Sequence, residues 1–92
     1  MLPKISNYGN YSSDSYGAHS RRVEYDSITL YYSYETIVAY SDAKDGLTVS
    51  KNVWGTTTGK HLNWIDNGAK KSRKDNAEFQ TMLTEACKRH KI

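Results

Sequence analysis

Residues 27–50 (SITLYYSYETIVAYSDAKDGLTVS) decide how this chain folds, because their apolar side chains recur with the period of a strand and their polar ones cluster where strands must turn. Ile28, Leu30, Tyr32 and Tyr34 fall on one side and Thr29, Tyr31 and Ser33 on the other, the alternation of a half-buried strand. Residues 36–40 (TIVAY) form a second β-branched and aromatic run, joined to the first by a tight turn near Tyr34-Glu35. Asp42-Ala43-Lys44-Asp45-Gly46 is a plainer connection. Aspartate tolerates turn geometry, and Gly46 supplies a left-handed position before Leu47-Thr48-Val49-Ser50 resumes the alternation. The pattern predicts a three-stranded antiparallel meander.

Beyond it the period lengthens. Trp54-Gly55-Thr56-Thr57-Thr58-Gly59-Lys60-His61-Leu62-Asn63-Trp64-Ile65 reads as a strand-to-helix junction, in which Thr56, Thr57 or Thr58 caps the first turn and Asn67-Gly68 stops the helix. Leu62 and Ile65 face the sheet, Trp54 covers the start of the helix and Trp64 lies on a neighbouring face. The final helix carries Phe79, Met82, Leu83 and Ala86 at i, i+3, i+4 and i+7, with Glu78, Thr81, Glu85 and Lys88 on its wet side. Two capping boxes compete for its start, Asp75-Asn76-Ala77-Glu78 and Ser72-Arg73-Lys74-Asp75. The expected class is α+β, a small three-stranded antiparallel sheet followed by two C-terminal helices packed on one face.

A chain of 92 residues holds one modest core, so 1–92 is read as a single domain. The net charge of +3 is unevenly spread. After Gly59, eight lysines and arginines face four acidic residues, giving +4; before it, five face six, giving −1. Local basic character of this kind suits a polyanionic or acidic partner, although a lysine-rich face can also be simply solvated. Cys87 is the only cysteine, so no internal disulfide forms, and no apolar run reaches membrane-spanning length. The first residues lack a secretory layout, so a cytoplasmic protein is expected and the glycosylation-like Asn10-Tyr11-Ser12 is empty.

Residues 6–20 (SNYGNYSSDSYGAHS) are rich in tyrosine, serine and glycine. Composition alone permits a low-complexity arm or a pair of turns pinned by tyrosine packing at Tyr8-Gly9 and Tyr16-Gly17. Together with Tyr8-Gly9-Asn10-Tyr11-Ser12-Ser13 and Tyr16-Gly17-Ala18-His19, the stretch 30–39 (LYYSYETIVA) and the junction 54–65 (WGTTTGKHLNWI) resemble a family of small uncharacterised proteins of tailed bacteriophages and bacterial mobile elements. The resemblance covers most of the chain. It implies that the tyrosine-rich start (1–20) is ordered against the domain, and it supplies no cofactor or catalytic residue. It also implies a setting in which compact accessory proteins bind host machinery or nucleic acid, some of them blocking host defence.

Sharper chemistry is weighed against plainer accounts. Gly55-Thr56-Thr57-Thr58-Gly59-Lys60 is one residue short of a phosphate-binding loop and is followed by His61 where serine or threonine would bind magnesium, so nucleotide hydrolysis is rejected. Cys87 and His90 are spaced to share a metal, but no second ligand pair accompanies them, and Cys87 reads as packing. His61 near Asp66 has the makings of a general base but lacks an activated nucleophile, so a hydrogen-bonding role at the junction is favoured. Tyr31, Tyr32, Tyr34 and Tyr40 are strand formers that become an aromatic platform on any face the helices leave open, suited to unpaired bases or to protein contacts. Lys70, Lys71, Arg73 and Lys74 precede the final helix, where the macrodipole disfavours them unless an anion binds or the side chains reach water.

The expected function is therefore non-enzymatic binding of a host nucleic acid or nucleoprotein, with inhibition of an antiviral system such as CRISPR as its specific form. The expected binding residues are Lys60, His61, Lys70, Lys71, Arg73, Lys74, Tyr31 and Trp64. No metal, cofactor or membrane enters this reading. The alternative is a protein-binding module, such as a homodimer or a contact with a host defence protein, that uses the aromatic surface.

Overall fold

The computed structural model of the protein describes residues 3–8 and 19–92. In chain order these residues form β1 (Lys4–Asn7), β2 (Ser20–Glu24), β3 (Ile28–Ser33), β4 (Thr36–Asp42), β5 (Gly46–Val49), α1 (Thr56–Asp66), a 3₁₀ turn (Lys70–Ser72) and α2 (Asn76–His90). The strands form one antiparallel sheet in the order β1-β2-β3-β4-β5. The expected three strands are β3 to β5, and the expectation of a three-stranded sheet is corrected by the two strands that precede them.

Those two strands carry no alternation that a sequence reading can grip. KISN and SRRVE each hold a single aliphatic residue, and it is pairing to β3 that makes them strands. Tyr25 N–H donates to the Ile28 carbonyl at 2.9 Å and closes the β2–β3 hairpin. Tyr8 then returns over the sheet, its hydroxyl donating to the Tyr32 carbonyl at 3.0 Å. Residues 9–18, which hold the Tyr16-Gly17 motif and most of the first tyrosine motif, lie outside the described residues.

The turns follow the residues that permit them. Tyr34 adopts φ 58° between β3 and β4, and Gly46 adopts φ 68° at the start of β5. Within β4 the register slips: Tyr31 pairs with Ala39 and Tyr32 with Ile37, so Val38 is an extra residue, a β-bulge. Val38 and Ala39 consequently share one face of the sheet, while Ile37 and Tyr40 share the other.

Both faces are thus apolar, and each takes one helix. Ile28, Leu30 and Tyr40 pack against Phe79, Leu83 and Ala86 of α2. Val38, Ala39 and Val49 pack against Leu62 of α1, with Tyr31 and Ile65 beside them. Neighbouring residues of a strand point to opposite faces, so Leu30 and Tyr31 place the two helices on opposite sides. The expectation that both helices pack on one face is corrected for this reason. The chain passes from one face to the other around the outer edge of β5, where Lys74 N–H donates to the Val49 carbonyl and the Lys74 carbonyl accepts from Lys51 N–H, both at 2.8 Å. This contact covers part of an edge that would otherwise invite another strand.

α2 is held at its far end by a charged cluster. Asp42, its side chain 1% exposed, accepts from Arg89 Nη2 at 2.7 Å, from His90 Nε2 at 2.9 Å and from the Asp45 backbone N–H at 2.7 Å. Asp45 in turn accepts from the Tyr40 hydroxyl at 2.6 Å and from Arg89 at 3.2 Å, while His90 Nδ1 meets the Ser27 hydroxyl at 2.7 Å. The order hydroxyl, imidazole, carboxylate is that of a nucleophilic triad, but here the imidazole shares its carboxylate oxygen with Arg89. The cluster ties α2 to the β2–β3 and β4–β5 turns.

Two measurements test this architecture. Phe79 is fully buried and tilted against Tyr40 with ring centroids 6.0 Å apart, so Phe79→Ala should lose about 3 to 5 kcal/mol and Leu83→Ala about 2 to 5 kcal/mol in denaturant unfolding. Values near zero for both would mean that α2 does not close this core. The second concerns acid. Burial alone would raise the Asp42 pKa, but hydrogen bonds from the Asp45 amide, His90 and Arg89 bring it down from 3.8 to about 2. A carboxyl depressed on folding contributes stability above its unfolded pKa and loses it as pH falls through the folded one. The melting temperature should therefore drop between about pH 4 and pH 2, and Asp42→Asn should be less stable at neutral pH with a flatter acid limb. Parallel acid limbs for the two proteins would overturn this assignment.

Candidate functional site

α1 sorts the residues of the junction onto two sides. Thr58, His61, Leu62 and Ile65, at i, i+3, i+4 and i+7, turn toward the sheet, and Lys60, Asn63, Trp64 and Asn67 repeat the same spacing outward. The inward set buries a chain of polar groups. His61 Nδ1 lies 2.6 Å from the Ser33 hydroxyl, which lies 2.9 Å from that of Thr58. The rings of Tyr8 and Tyr34 sit 6.1 and 6.0 Å from the imidazole. His61 is fully buried and Ser33 2% exposed, so this pair is a lock between α1 and β3 that no substrate can reach. The expected threonine cap is absent, because Thr58 is spent on this lock and Gly55 occupies the N-cap position.

The loop ahead of α1 is organised by Asn52. Its side-chain oxygen accepts from the backbone N–H of Trp54 at 3.0 Å and of Gly55 at 3.2 Å, and its amide nitrogen donates to the Gly55 carbonyl at 2.8 Å. A methyl group on Gly59 would lie 3.0 Å from that nitrogen, so glycine is what lets the loop close on the helix. Trp54 and Trp64 are left 38% and 48% exposed.

The outward stripe of α1 lines a hollow of about 350 Å³ formed by Lys60, Asn63, Trp64 and Asn67. A second hollow of about 360 Å³ adjoins it through Asn63, lined also by Lys51, Asn52, Gly59, Lys70 and Arg73. Arg73 forms its wall and is 5% exposed. Its Nε and Nη2 meet the two carboxylate oxygens of Asp66 at 2.6 and 3.0 Å, and Nη2 also donates to the Asn63 side-chain oxygen at 3.0 Å. This bidentate clamp fastens the 3₁₀ turn to α1 and fixes the orientation of the guanidinium.

The sequence-predicted residues are divided by this geometry. Lys60, Trp64 and Lys70 are exposed and line the two hollows, and Lys71 is exposed next to Lys70 on the 3₁₀ turn. Arg73 belongs to the wall and is already paired; Lys74 is half-buried, its backbone held against β5. His61 and Tyr31 lie behind α1, with the Tyr31 ring 5.5 Å from that of Tyr8. The expected tyrosine platform is dispersed, since Tyr31 and Tyr32 fall on opposite faces, Tyr40 is fully buried and Tyr34 stacks on His19 at 4.3 Å. The expected conflict with the α2 dipole is also relieved. Lys70 and Lys71 occupy their own 3₁₀ turn, while Asp75 stands at the N-cap position of α2 without a side-chain capping bond and Glu78 lies in its first turn. Lys51, Asn52, Asn63 and Asn67 were not expected at the site. The outward spacing from Lys60 marks the last two in the sequence, but no signal marks Lys51 or Asn52.

The model of a family of unknown function (DUF8033) matches residues 3–81. The match spans well over half of the chain, and the protein belongs to that family. No curated protein and no solved structure matches it. Among the described residues no helix is long and apolar enough to cross a membrane.

Proposed function

We propose that this DUF8033 member is a non-enzymatic nucleic-acid-binding protein that holds a phosphate backbone on the outer side of α1 and the 3₁₀ turn. One observation carries the reading: Lys51, Lys60 and Lys70 surround two adjoining hollows that share Asn63 and that leave Trp64 exposed between them and solvent. Cations beside a partly exposed aromatic ring are a combination with which proteins hold nucleic acid without reading a sequence. The acidic groups nearby do not cancel it. Asp66 is spent on Arg73, and Asp75 forms only an exposed pair with Lys51 at 2.8 Å. A host nucleoprotein, one serving antiviral defence included, would be met through the same phosphate chemistry in the phage setting that the sequence resemblance implies. Cytoplasmic residence fits this role and a single unpaired thiol.

A second reading, docking of a protein, has its own support elsewhere on the surface. Ile5, 65% exposed, and Val23, Tyr32 and Tyr34 line a mostly apolar hollow of about 260 Å³ on the side of the sheet that carries α2.

Salt dependence tests the first reading. Lys51, Lys60, Lys70 and Lys71 offer about four phosphate contacts, so log affinity for a mixed-sequence oligonucleotide should fall with log salt at a slope of about 3. Replacing Lys60, Lys70 and Lys71 by Glu should weaken binding strongly at low salt and reduce the slope, with the melting temperature held, since all three are exposed. Arg73 is left intact because removing it would strand Asp66. A folded triple variant that binds as tightly as the parent, or a parent that binds no polyanion, would overturn the proposal.

A further inference from the structure

We infer that the nucleic acid is single-stranded, with a phosphate seated in the Lys51–Lys70–Arg73 hollow and the adjoining base stacked on Trp64; this rests on the nucleic-acid reading above.

The phosphate seat follows from which donors are already spent. Arg73 gives Nε and Nη2 to Asp66 and Asn63, and its third nitrogen, Nη1, makes no hydrogen bond with another described residue. That nitrogen belongs to a guanidinium held rigid on the wall of the hollow. Asn63 gives its oxygen to Arg73, which leaves the N–H groups of the amide as donors at the boundary of the two hollows. Lys51 and Lys70 complete the seat as mobile point charges. A fixed donor pair with flanking lysines matches the several acceptor oxygens and negative charge of a phosphodiester.

The base seat follows from the neighbouring hollow. Asn63, Trp64 and Asn67 succeed one another along the outward stripe of α1, so the exposed indole stands next to the phosphate seat, with Lys60 one turn away. An indole face offers nothing to a base that is already stacked within a duplex. It is useful to a base that is splayed out, and every base has such a face. Asn67 and Lys60 at the rim can donate to base edges or to the next phosphate, which makes the preference tolerant of sequence.

Tryptophan emission reports the stacking directly. In a Trp54→Phe variant Trp64 is the remaining tryptophan, and it is titrated with oligothymidylate, with an abasic deoxyribose-phosphate oligomer of the same length, and with a blunt duplex. Oligothymidylate should quench Trp64 and bind about tenfold or more tightly than the other two. Trp64→Ala should abolish that preference while keeping the abasic affinity, and Trp64→Phe should restore much of it; Lys70→Ala should weaken all three ligands alike. Equal affinity for the three ligands with unchanged emission would overturn the single-strand inference and leave a backbone-binding surface. Absence of binding to any of them would overturn both readings.

Discussion

Both faces of β3 and β4 carry side chains that must be kept from water, and the arrangement of the whole molecule answers to that constraint. A regular strand puts alternate residues on each face, but the bulge at Val38 adds a residue and so places Val38 and Ala39 together on one side and Ile37 and Tyr40 on the other. One helix cannot cover two faces. α1 closes the side of Val38, α2 that of Tyr40, and the segment between them has to round the edge of β5. A sheet with a single buried face would have allowed both helices to lie side by side, as the sequence alone implied.

The crossing segment determines the character of the outer surface. Between the left-handed residues Asn67 and Gly68 and the start of α2, seven residues descend past β5, and their firmest anchors are the Arg73 clamp on Asp66 and the Lys74 backbone contacts to Val49 and Lys51. The remaining side chains of that stretch lie on the surface, so Lys70 and Lys71 are exposed while Arg73, two positions on, is buried. Four basic residues that look equivalent in the sequence thus divide into two that hold the fold and two that present charge. Their difference is positional and not chemical.

Much of this was legible beforehand, and the part that was not has a physical cause. The alternation from Ile28 to Val49 located three strands and both of their turns, and the spacing of Phe79, Leu83 and Ala86 located the buried face of α2, because in each case a core imposes its period on the residues. β1 and β2 impose none. They lie beside β3 at the side of the sheet, their side chains are largely polar, and pairing, which leaves no mark on composition, makes them strands. His61, favoured from the sequence as a hydrogen-bonding residue of the junction and also counted among the binding residues, is buried behind α1. Its spacing from Thr58, Leu62 and Ile65 puts it on the inward stripe, and Ser33, whose pairing only the tertiary fold supplies, is there to receive it. At the candidate site, Lys60 and Trp64 were legible from the helix, whereas Lys51 reaches the adjoining hollow from the far end of β5 through the tertiary fold alone.

Which cations can meet a ligand is decided by the cost of releasing the partner each already has. The Arg73–Asp66 pair is almost wholly buried, and separating such a pair strands a charge in a poorly solvated place, at about 3 to 5 kcal/mol when one member is removed. No surface contact with a phosphate offsets that, so Arg73 keeps Asp66 and can contribute to a ligand only the part of its guanidinium that the clamp leaves over. Lys51 is in the opposite position. Its pair with Asp75 is exposed on both sides and screened by water, so under the proposed function a phosphate would take the ammonium at little cost and leave Asp75 to water. Lys70, on the exposed 3₁₀ turn, has the same freedom. The hollow therefore combines one immobile donor, aligned by a carboxylate that cannot leave it, with more mobile ammonium groups; under the proposed function the first would set where an anion sits and the second how strongly it is held and how steeply salt removes it.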